Sequence, residues 1–436
     1  MKDLKAIARQ IFLDTLAGID IPATLARKLR RRGSVIHAGE MPVDLRRFHE
    51  IVAISIGKAG VALAEGLSAV LAPEFRPRGI LVVPAAPPKK LDGWETFIAG
   101  HPVPNEESFR AGRAILESVY RCGEDSLIFF LLSGGGSSLV EMPQDSSASL
   151  EDFVQLHHAL VTCGAPIEEI NAIRKHLSAT KGGRLAAAAP KALKLTFGVS
   201  DVPEGQETAL ASGPTLPDPT TIADAEQIAN KYKLIGKLPE SLRRKFEEHS
   251  LQETPKKNDS VFRRAHFELL LGRRDLFHHT HVATEAAGYY TVCDNATDGW
   301  PVEKAAKHLV SELDSLKRKH SGKRVALISD GEVSSPVSGN GKGGRNSAFA
   351  LACVERIAGR DLTVLSAGTD GIDGNSPAAG AVADSTTLER ARAAKMDAQD
   401  YFQRSDAFTF FERLGDAIMT GPTGNNLRDL RILLAD

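Results

Sequence analysis

The sequence predicts an α/β protein of two domains. Its 436 residues exceed the roughly 250–300 residues at which a single hydrophobic core stops growing. Short apolar runs alternate with longer segments of helical period, which is typical of strands and helices arranged around a parallel sheet. Hydrophobic residues make up 42% of the chain and charged residues 25%, so there is enough apolar material for two cores.

The N-terminal domain is predicted over residues 1–240. An amphipathic helix opens it, because Leu4, Ile7 and Ile11 recur at helical spacing. Helix-length segments then separate apolar runs that are short enough to be buried strands. These predicted strands are Ile51–Ile56, Gly79–Val83, Leu127–Leu132 and Leu195–Val199.

A polar linker is predicted over residues 241–264, followed by a second α/β domain over 265–436. The composition turns polar and charged there, and Pro239 and Pro255 discourage continuous regular structure. The predicted strands of the second domain are Phe267–Gly272, Tyr289–Cys293, Arg324–Ser329 and Leu362–Gly368.

Charge and hydropathy exclude several classes of partner. The chain has 54 Lys and Arg against 55 Asp and Glu, which gives no overall attraction toward nucleic acid. The longest apolar run is far shorter than the roughly 20 residues needed to span a bilayer. Four cysteines lie far apart without a C-x-x-C pair, which indicates reduced thiols and predicts a cytoplasmic location.

A glycine loop after the strand Leu127–Leu132 is the first candidate binding element. It runs Ser133-Gly134-Gly135-Gly136-Ser137-Ser138, and successive glycine N–H groups at the end of a strand can turn toward one anion. This pattern favours a phosphate cradle, although a tight turn without a ligand would also use glycines.

Two charged residues follow other predicted strands. Lys58 comes directly after a strand and Gly57, at the edge of the sheet where open α/β folds bind ligands. Asp201 follows the strand Leu195–Val199, where a carboxylate could hold Mg²⁺ or accept a proton. A solvated lysine and a helix-capping aspartate are the alternative interpretations.

A second glycine-rich loop, Gly339–Asn346, contains G-x-G-x-x-G before a predicted helix. A dinucleotide is not expected there, because the acidic partner about 20 residues on, Asp361, precedes the next strand instead of ending it. Lys342 and Arg345 instead suit a loop that brings cations to a polyphosphate or carboxylate. Asp370 and Asp373 follow the strand Leu362–Gly368 and could hold a metal or simply form a turn.

Seven motifs together resemble the type-2 glycerate kinase family over nearly the whole chain. In order they are SIGKAG, LLSGGGSS, NAIRKHLSATKGGRLA, VSDVPEG with LASGPT, GKGGRN, SAGTDGIDG and TGPTGNN. The resemblance implies a Rossmann-like N-terminal domain, a smaller C-terminal α/β domain and an active site in the cleft between them. It also implies transfer of the γ-phosphoryl group of ATP, with Mg²⁺, to the 2-hydroxyl of D-glycerate, giving 2-phosphoglycerate.

The family's catalytic candidates match Lys58, Asp201 and Arg345. Lys58 and Arg345 would anchor substrate or transition-state charge, and Asp201 would act as a base or hold Mg²⁺. No Walker A motif occurs, so the two glycine loops are the candidate phosphate cradles. The expected binding residues are Ser133, Gly134, Gly135, Gly136, Ser137, Ser138, Asn171, Arg174, Lys181, Glu332, Gly343, Gly344, Asp370 and Asp373.

The sequence departs from the family pattern at two positions. Asp330 stands where glycine is more typical, and Asn425 stands where threonine is commoner. An extra carboxylate near an anionic substrate would repel it, so Asp330 either faces away or helps to hold a cation. A hydroxypyruvate reductase and a non-catalytic metabolite-binding protein are the rival functions. The sequence leaves the oligomeric state open, a homodimer included.

Overall fold

The protein is described by a computed structural model that covers residues 3–145, 147–203 and 205–436. Its contacts divide it into two compact units. The N-terminal unit is Ile21–Leu271, and the C-terminal unit combines the residues up to Asp20 with Gly272–Asp436. The first helix, α1 (Leu4–Gly18), therefore belongs to the C-terminal unit. Within the described residues, no helix has the length and apolar character needed to cross a membrane.

The N-terminal unit contains a parallel sheet, a small antiparallel sheet and the helices that cover them. Its strands are β1 (Leu29–Arg32), β2 (Val35–Ala38), β3 (Met41–Asp44), β4 (Glu50–Ile56), β5 (Arg78–Val83), β6 (Trp94–Ile98), β7 (Ser126–Ser133), β8 (Leu193–Val199) and β9 (Ala265–Leu271). Its helices are α2 (Ile21–Lys28), α3 (Gly60–Leu71), α4 (Glu106–Tyr120), α5 (Gly136–Leu139), α6 (Leu150–Thr162), α7 (Ile167–Leu177), α8 (Arg184–Ala188), α9 (Ile222–Lys231) and α10 (Glu240–Glu247).

The main sheet of this unit has the order β6-β5-β4-β7-β8-β9, with every neighbouring pair parallel. Counted from β4, this is the order 3-2-1-4-5-6 of doubly wound dinucleotide-binding folds, so the predicted parallel α/β fold is confirmed. All residues of β7 are buried, which explains its unbroken apolar run. The chain changes direction across the sheet between β4 and β7, and such a switch point opens a crevice at the carboxyl ends of the strands.

The segment predicted as a linker is folded into the N-terminal unit. It includes α10, and Leu242, Phe246 and Leu251 are buried in an apolar cluster with residues of α6, α7 and α9. The polar residues of this segment cover the exposed face of a short amphipathic helix, which explains the composition. β9 then adds a parallel strand beside β8. The contact boundary consequently falls after Leu271, which differs from the predicted boundaries at 240 and 265.

The C-terminal unit has its own sheet and apolar core. Its further helices are α11 (Arg273–Ala286), α12 (Val302–Lys319), α13 (Arg345–Ile357), α14 (Thr387–Ala393), α15 (Ala398–Gln403) and α16 (Ala407–Leu414). Its strands are β10 (Tyr290–Cys293), β11 (Val325–Asp330), β12 (Leu362–Gly368), β13 (Gly380–Asp384), β14 (Ala417–Ile418) and β15 (Asp429–Ala435).

The sheet of the C-terminal unit is mixed, with the order β10-β11-β15-β12-β13-β14. The last strand, β15, lies in the middle and runs antiparallel to both β11 and β12. Its first residue, Asp429, is opposite Gly368, and Leu430 is opposite Asp330. The start of β15 thus meets the carboxyl ends of β11 and β12 at one edge of the sheet.

Candidate active site

The carboxyl edge of the N-terminal unit's parallel sheet carries the first group of predicted residues. β4 ends at Ile56 and α3 begins at Gly60, so Lys58 lies in the short turn between them. Gly57 has a φ of +123°, and a β-carbon there would lie 2.2 Å from Ser133 Oγ. Glycine is therefore required for the turns after β4 and β7 to approach so closely.

The glycine loop after β7 is bonded to the turn that carries Lys58. The Lys58 N–H donates to the Gly134 carbonyl at 3.0 Å. Gly135 has a φ of +84°, and a β-carbon on it would lie 3.4 Å from Lys58 Cγ and 3.0 Å from the ring of His101. Lys58, the glycine loop and His101 thus adjoin one another at the switch point of the sheet.

A chain of hydrogen bonds joins three of the sequence motifs. Ser137 Oγ lies 2.8 Å from Ser212 Oγ, and Ser212 Oγ donates to Asn171 Oδ1 at 3.1 Å. Ala211 and Ser212 both have left-handed backbone angles, with φ of 50° and 60°. Such angles are uncommon outside glycine and cluster at ligand sites, where the surrounding structure holds them. The predicted binding residues Ser137 and Asn171 are therefore part of one bonded group.

Lys181 is held away from solvent by an ion pair. Its ammonium group is 2.5 Å from Glu141 Oε2 and 3.1 Å from the Val140 carbonyl, and the residue is only 1% exposed. Burial lowers the pKa of Lys181, while Glu141 works in the opposite direction. This buried arrangement differs from the predicted ligand contact. It indicates that Lys181 stabilises the fold around the glycine loop instead of binding a ligand directly.

Arg174 is half-buried on α7, one turn after Asn171. Its guanidinium group lies 3.2 Å from Nδ1 of His157. Burial and the charge of Arg174 lower the pKa of His157 to about 4, so the ring is neutral near pH 7 and can accept this hydrogen bond. No carboxylate within the described residues forms an ion pair with Arg174, which leaves its charge suitable for an anionic ligand.

Asp201 and Ser138 are the remaining predicted site residues of the N-terminal unit. Asp201 follows the end of β8, the strand next to β7 in the sheet, and is partly exposed. Ser138 lies in α5, with its hydroxyl 3.3 Å from the Gly135 carbonyl. Among the described residues, no group of three or more His, Cys, Asp or Glu side chains could hold a metal ion.

The C-terminal unit places Arg345 between two carboxylates. Arg345 is the first residue of α13, and its Nε donates to Asp429 Oδ2 at 2.5 Å. Its Nη2 lies 2.7 Å from Oε1 of Glu332, another of the predicted binding residues. Burial disfavours the charged form, but Asp429 and Glu332 raise the pKa of Arg345. The guanidinium group is therefore a permanent cation at this edge of the mixed sheet.

Asp373 occupies the N-terminus of α13. Its carboxylate accepts hydrogen bonds from the N–H groups of Gly344, Asn346 and Ser347, at 3.1, 2.9 and 2.8 Å. A β-carbon on Gly344 would lie 2.3 Å from Asp373 Oδ1, so glycine is required there. Asp373 was predicted to bind a ligand or metal. The structure instead shows a buried helix cap, which takes the N–H groups that a phosphate would need.

The loop before α13 is also packed within the unit. Gly343 has a φ of +141°, and its N–H donates to Asn375 Oδ1 at 2.8 Å. A β-carbon on Gly341 would lie 2.6 Å from the Ser405 carbonyl. Asp370 accepts a hydrogen bond from the Ile372 N–H, as in a turn. The glycines of this loop serve close backbone packing, which differs from an open phosphate cradle.

The departure at Asp330 is explained by an arginine. Arg428 contacts Asp330 Oδ2 at 3.2 Å and Asp298 Oδ2 at 2.6 Å, and both Asp330 and Arg428 are buried. Burial raises the pKa of Asp330, although Arg428 opposes this. Asp330 was expected either to face away from the ligand or to help to hold a cation. The structure agrees with the second alternative, and the cation is the guanidinium group of Arg428.

The sequence analysis did not single out His101, Ser212 or Asp429. His101 lies in a segment without a motif, and its position depends on the turn after β6. Ser212 stands in the quoted LASGPT motif but was not singled out. Asp429 precedes the segment Leu430–Ala435, which is apolar except for Arg431 and could have been interpreted as a buried strand.

Two family models match the chain. Residues 7–247, more than half of it, match DUF4147, a domain of unknown function, and residues 325–429 match the MOFRL family. These matches and the two α/β units define the class of protein, namely two-unit α/β proteins that combine a DUF4147 domain with a MOFRL domain. The D-glycerate 2-kinase of Thermotoga maritima is 35% identical over 386 residues, covering 88% of this chain and 90% of the relative. The chain therefore belongs to the type-2 glycerate kinase family.

Two further comparisons, one with a solved structure and one with a sequence, differ in the name of the relative. The crystal structure of a glycerate kinase from Thermotoga maritima matches with a TM-score of 0.82 and 31% identity, covering 100% of both chains. A protein of Agrobacterium vitis with the provisional name hydroxypyruvate reductase is 35% identical, covering 88% of this chain and 86% of the relative. Sequence similarity alone therefore leaves two activities to compare.

Proposed function

We propose that this protein is a glycerate 2-kinase that transfers the γ-phosphoryl group of ATP to the 2-hydroxyl of D-glycerate, giving 2-phosphoglycerate. One observation carries the proposal. Lys58 and the glycine loop Ser133–Ser138 adjoin at the switch point of a parallel sheet, where α/β folds bind phosphorylated ligands. The family membership supplies the substrates, ATP and glycerate.

Charge neutralisation is the chemical task of this site. The transferred phosphoryl group carries charge on three oxygens, and enzymes lower the barrier mainly by positioning the reactants and stabilising that charge. In the N-terminal unit, we assign the cationic contribution to Lys58, with Arg174 as a second cation for an anionic group of the substrate. Ser137 and Asn171 present hydroxyl and amide groups that can orient the bound acid.

Arg345 is assigned to the same chemistry from the C-terminal unit. A guanidinium group can donate two parallel hydrogen bonds to a phosphate or carboxylate, which a lysine cannot do. Its side chain is 37% exposed, so part of the cation is accessible to a ligand. We propose that Arg345 stabilises negative charge during transfer, with Glu332 as a displaceable polar neighbour.

Asp201 is the proposed base or Mg²⁺ ligand. A partly exposed carboxylate at the end of β8 has the oxygen chemistry that Mg²⁺ prefers. Mg²⁺ is usually bound through one or two carboxylates together with substrate phosphates, so a single protein carboxylate fits this ion. When bound, Mg²⁺ would neutralise phosphate charge. Asp201 itself can accept the proton of the substrate hydroxyl through its own oxygens.

Product analysis tests the proposal directly. The full-length protein is incubated with ATP, Mg²⁺ and D-glycerate, and ADP formation is followed together with the phosphorus and proton NMR spectra of the product. We expect ADP that depends on D-glycerate and resonances of 2-phosphoglycerate. L-Glycerate serves as the matched control substrate. ADP formation that does not depend on glycerate would contradict the proposed reaction, and 3-phosphoglycerate would contradict the assigned hydroxyl.

A reductase is the second candidate because of the name of the Agrobacterium relative. The structure gives this function little support. The G-x-G-x-x-G segment packs against residues 404–408, and Asp373 fills the helix N-terminus that a dinucleotide pyrophosphate would need. Oxidation of NADH with hydroxypyruvate, measured at 340 nm, would establish the reductase if it occurred without any glycerate-dependent ADP formation.

Location and assembly are also part of the proposal. Cys122, Cys163, Cys293 and Cys353 are all free thiols, which supports a reducing compartment and hence the cytoplasm. We expect no nucleic-acid or membrane partner, since the formal net charge is only −1. A homodimer stays a prediction, which light scattering during gel filtration would check.

A further inference from the structure

We infer that Asp429 is a positioning residue that fixes the guanidinium group of Arg345 in its working orientation. The inference rests on the proposed function, because it assigns a role to Asp429 through Arg345. No sequence motif pointed to Asp429. The residue makes two contacts with Arg345, to Nε at 2.5 Å and to Nη2 at 3.5 Å.

The fold explains how Asp429 reaches this place. It is the first residue of β15, which lies between β11 and β12 and runs opposite to both. The start of a central strand is thereby set among the carboxyl ends of its neighbours, and Asp429 is only 3% exposed. Main-chain pairing on both sides of β15 holds this carboxylate far more rigidly than a loop would.

The environment keeps Asp429 ionised. Burial alone would raise the pKa of its carboxyl group, but the charges of Arg345 and Arg431 lower it. Arg431 is itself fully buried, lies over the Phe349 ring at 5.0 Å and donates to the Asp330 and Gly331 carbonyls. A buried carboxylate held between two cations is a stable anchor, and Arg345 is the more exposed of those cations.

Asp373 fixes the backbone on either side of Arg345. Its carboxylate binds the N–H groups of Gly344, Asn346 and Ser347, which flank Arg345 in the chain. One buried carboxylate thus fixes the backbone of Arg345 and a second fixes its side chain. Among the described residues, no hydrogen bond engages Nη1 of Arg345. We assign this nitrogen to the contact with a ligand.

Loss of the Asp429 charge should leave Arg345 present but poorly oriented. Asp429→Asn keeps nearly the same volume and removes the charged acceptor at Nε. We expect kcat for glycerate phosphorylation to fall about 100-fold, the loss associated with a displacement of roughly 1 Å at a reacting group. KM for ATP should change less than kcat, because Arg345 is assigned to the transition state.

A double-mutant cycle separates positioning from general damage. Asp429→Asn is measured in the wild-type chain and in an Arg345→Ala chain. If Asp429 acts through Arg345, its roughly 100-fold effect should shrink to less than about threefold in the Arg345→Ala background. An equal loss in both backgrounds would overturn the inference. If Asp429→Asn does not fold, Asp429→Glu, which displaces the carboxylate by one methylene, takes its place with the same expected pattern.

A second readout does not depend on the reaction. In protein labelled with ¹⁵N-arginine, the Nε–H signal of Arg345, assigned by its loss in Arg345→Lys, should exchange slowly with water. Asp429→Asn should accelerate that exchange at least tenfold. An unchanged exchange rate would contradict the positioning role even in a protein without kinase activity. Absence of glycerate-dependent ADP formation by the wild type would instead contradict the proposed function.

Asp416→Asn is the matched control. Asp416 is also a buried aspartate of the C-terminal unit, 4% exposed, and it contacts Lys5 and Arg390 at 3.1 and 2.7 Å. Its replacement removes a buried charge of the same kind away from Arg345. We expect a lower melting temperature with kcat and the Arg345 exchange rate unchanged. A fall in kcat as large as that of Asp429→Asn would show that any buried charge loss has this effect and would overturn the inference.

Discussion

The two units place a candidate catalytic cation in different ways. In the N-terminal unit, Lys58 is placed by backbone geometry, since Gly57 and Gly135 adopt positive φ and allow two turns to meet. In the C-terminal unit, Arg345 is placed by charge, since buried Asp429 and Asp373 hold its side chain and its backbone. The first arrangement requires particular glycines, and the second requires particular carboxylates.

This difference affects what happens to stability when a catalytic cation is removed. A cation placed by a buried carboxylate cannot be removed without leaving a buried charge behind, because the carboxylate then loses its partner. The sequence alone suggests that replacing either cation with alanine leaves the melting temperature nearly unchanged. The structure overturns that expectation for Arg345, because its removal leaves Asp429 buried without this cation.

The largest expected effect comes from removing the two cations. Arg345→Ala should lower kcat about 10³-fold or more, since a cation on the transferring phosphoryl group is worth about 10³–10⁵. Lys58→Ala should lower kcat about 10²–10³-fold. Arg345→Ala should also reduce the melting temperature by several degrees, because buried Asp429 then loses this cation. Steady-state kinetics and calorimetry check these statements, and a wild-type melting temperature in Arg345→Ala would contradict the placement of Arg345 by charge.

Breaking the buried ion pair in the N-terminal unit should affect stability first. Lys181→Ala leaves Glu141 buried and without its cation, which typically costs about 3–5 kcal/mol of unfolding free energy. Urea denaturation measures this loss. The variant Lys231→Ala removes an exposed lysine paired with Glu169 at 2.7 Å and should cost less than about 1 kcal/mol. If Lys181→Ala lost turnover at unchanged stability, Lys181 would contact a ligand and would not serve mainly as a structural ion pair.

Adding one methyl group to Gly57 should disturb the turn that carries Lys58. Gly57→Ala would place a β-carbon 2.2 Å from Ser133 Oγ at a φ of +123°, which should cost about 2–3 kcal/mol of stability. Turnover should fall as Lys58 moves. Gly236→Ala is the matched control, because nothing lies within 4 Å of its added β-carbon. Unaltered stability and activity in Gly57→Ala would mean that the two turns are not held by close contact.

Much of the fold was accessible from the sequence. The central strands β7 and β8 of the N-terminal unit are buried on both faces, so their apolar runs stand out, and the amphipathic α1 shows its helical period directly. The linker prediction differs from the structure because α10 buries only Leu242 and Phe246. Its other residues are polar, and composition alone does not distinguish a short surface helix from a loop.

The candidate site was accessible only in part. Glycine loops and the residues after strands can be identified because backbone geometry restricts residue type locally. The partner of Arg345 could not be identified, since β15 inserts between β11 and β12 and so brings Asp429 to it from far along the chain. Lys181 and Asp373 likewise bond residues 40 and 26–29 positions away. Whether a carboxylate binds a ligand, caps a helix or pairs with a lysine depends on those distant contacts. Composition and spacing do not contain this information.

The smallest expected effect concerns His157, which contacts Arg174 in the N-terminal unit. Its pKa is lowered from an ordinary value of 6.5 to about 4 by burial and by the charge of Arg174. Between pH 6.5 and 4, the His157 ring therefore binds a proton more readily in the unfolded chain than in the folded protein. The stability associated with neutral His157 is fully present above pH 6.5 and is lost as the pH falls toward 4.

His157→Gln keeps a hydrogen-bond acceptor for Arg174 and does not titrate. Between pH 6.5 and 4, the wild type should lose about 1–2 kcal/mol more unfolding free energy than this variant, measured by urea denaturation across the range. His249→Gln is the control, because His249 is exposed and contacts only Glu226 among the described residues. Parallel curves for the wild type and His157→Gln would show that the ring is not held neutral. Arg174 would then have to be fixed by another contact, and the N-terminal unit would resemble the C-terminal unit in relying on charge.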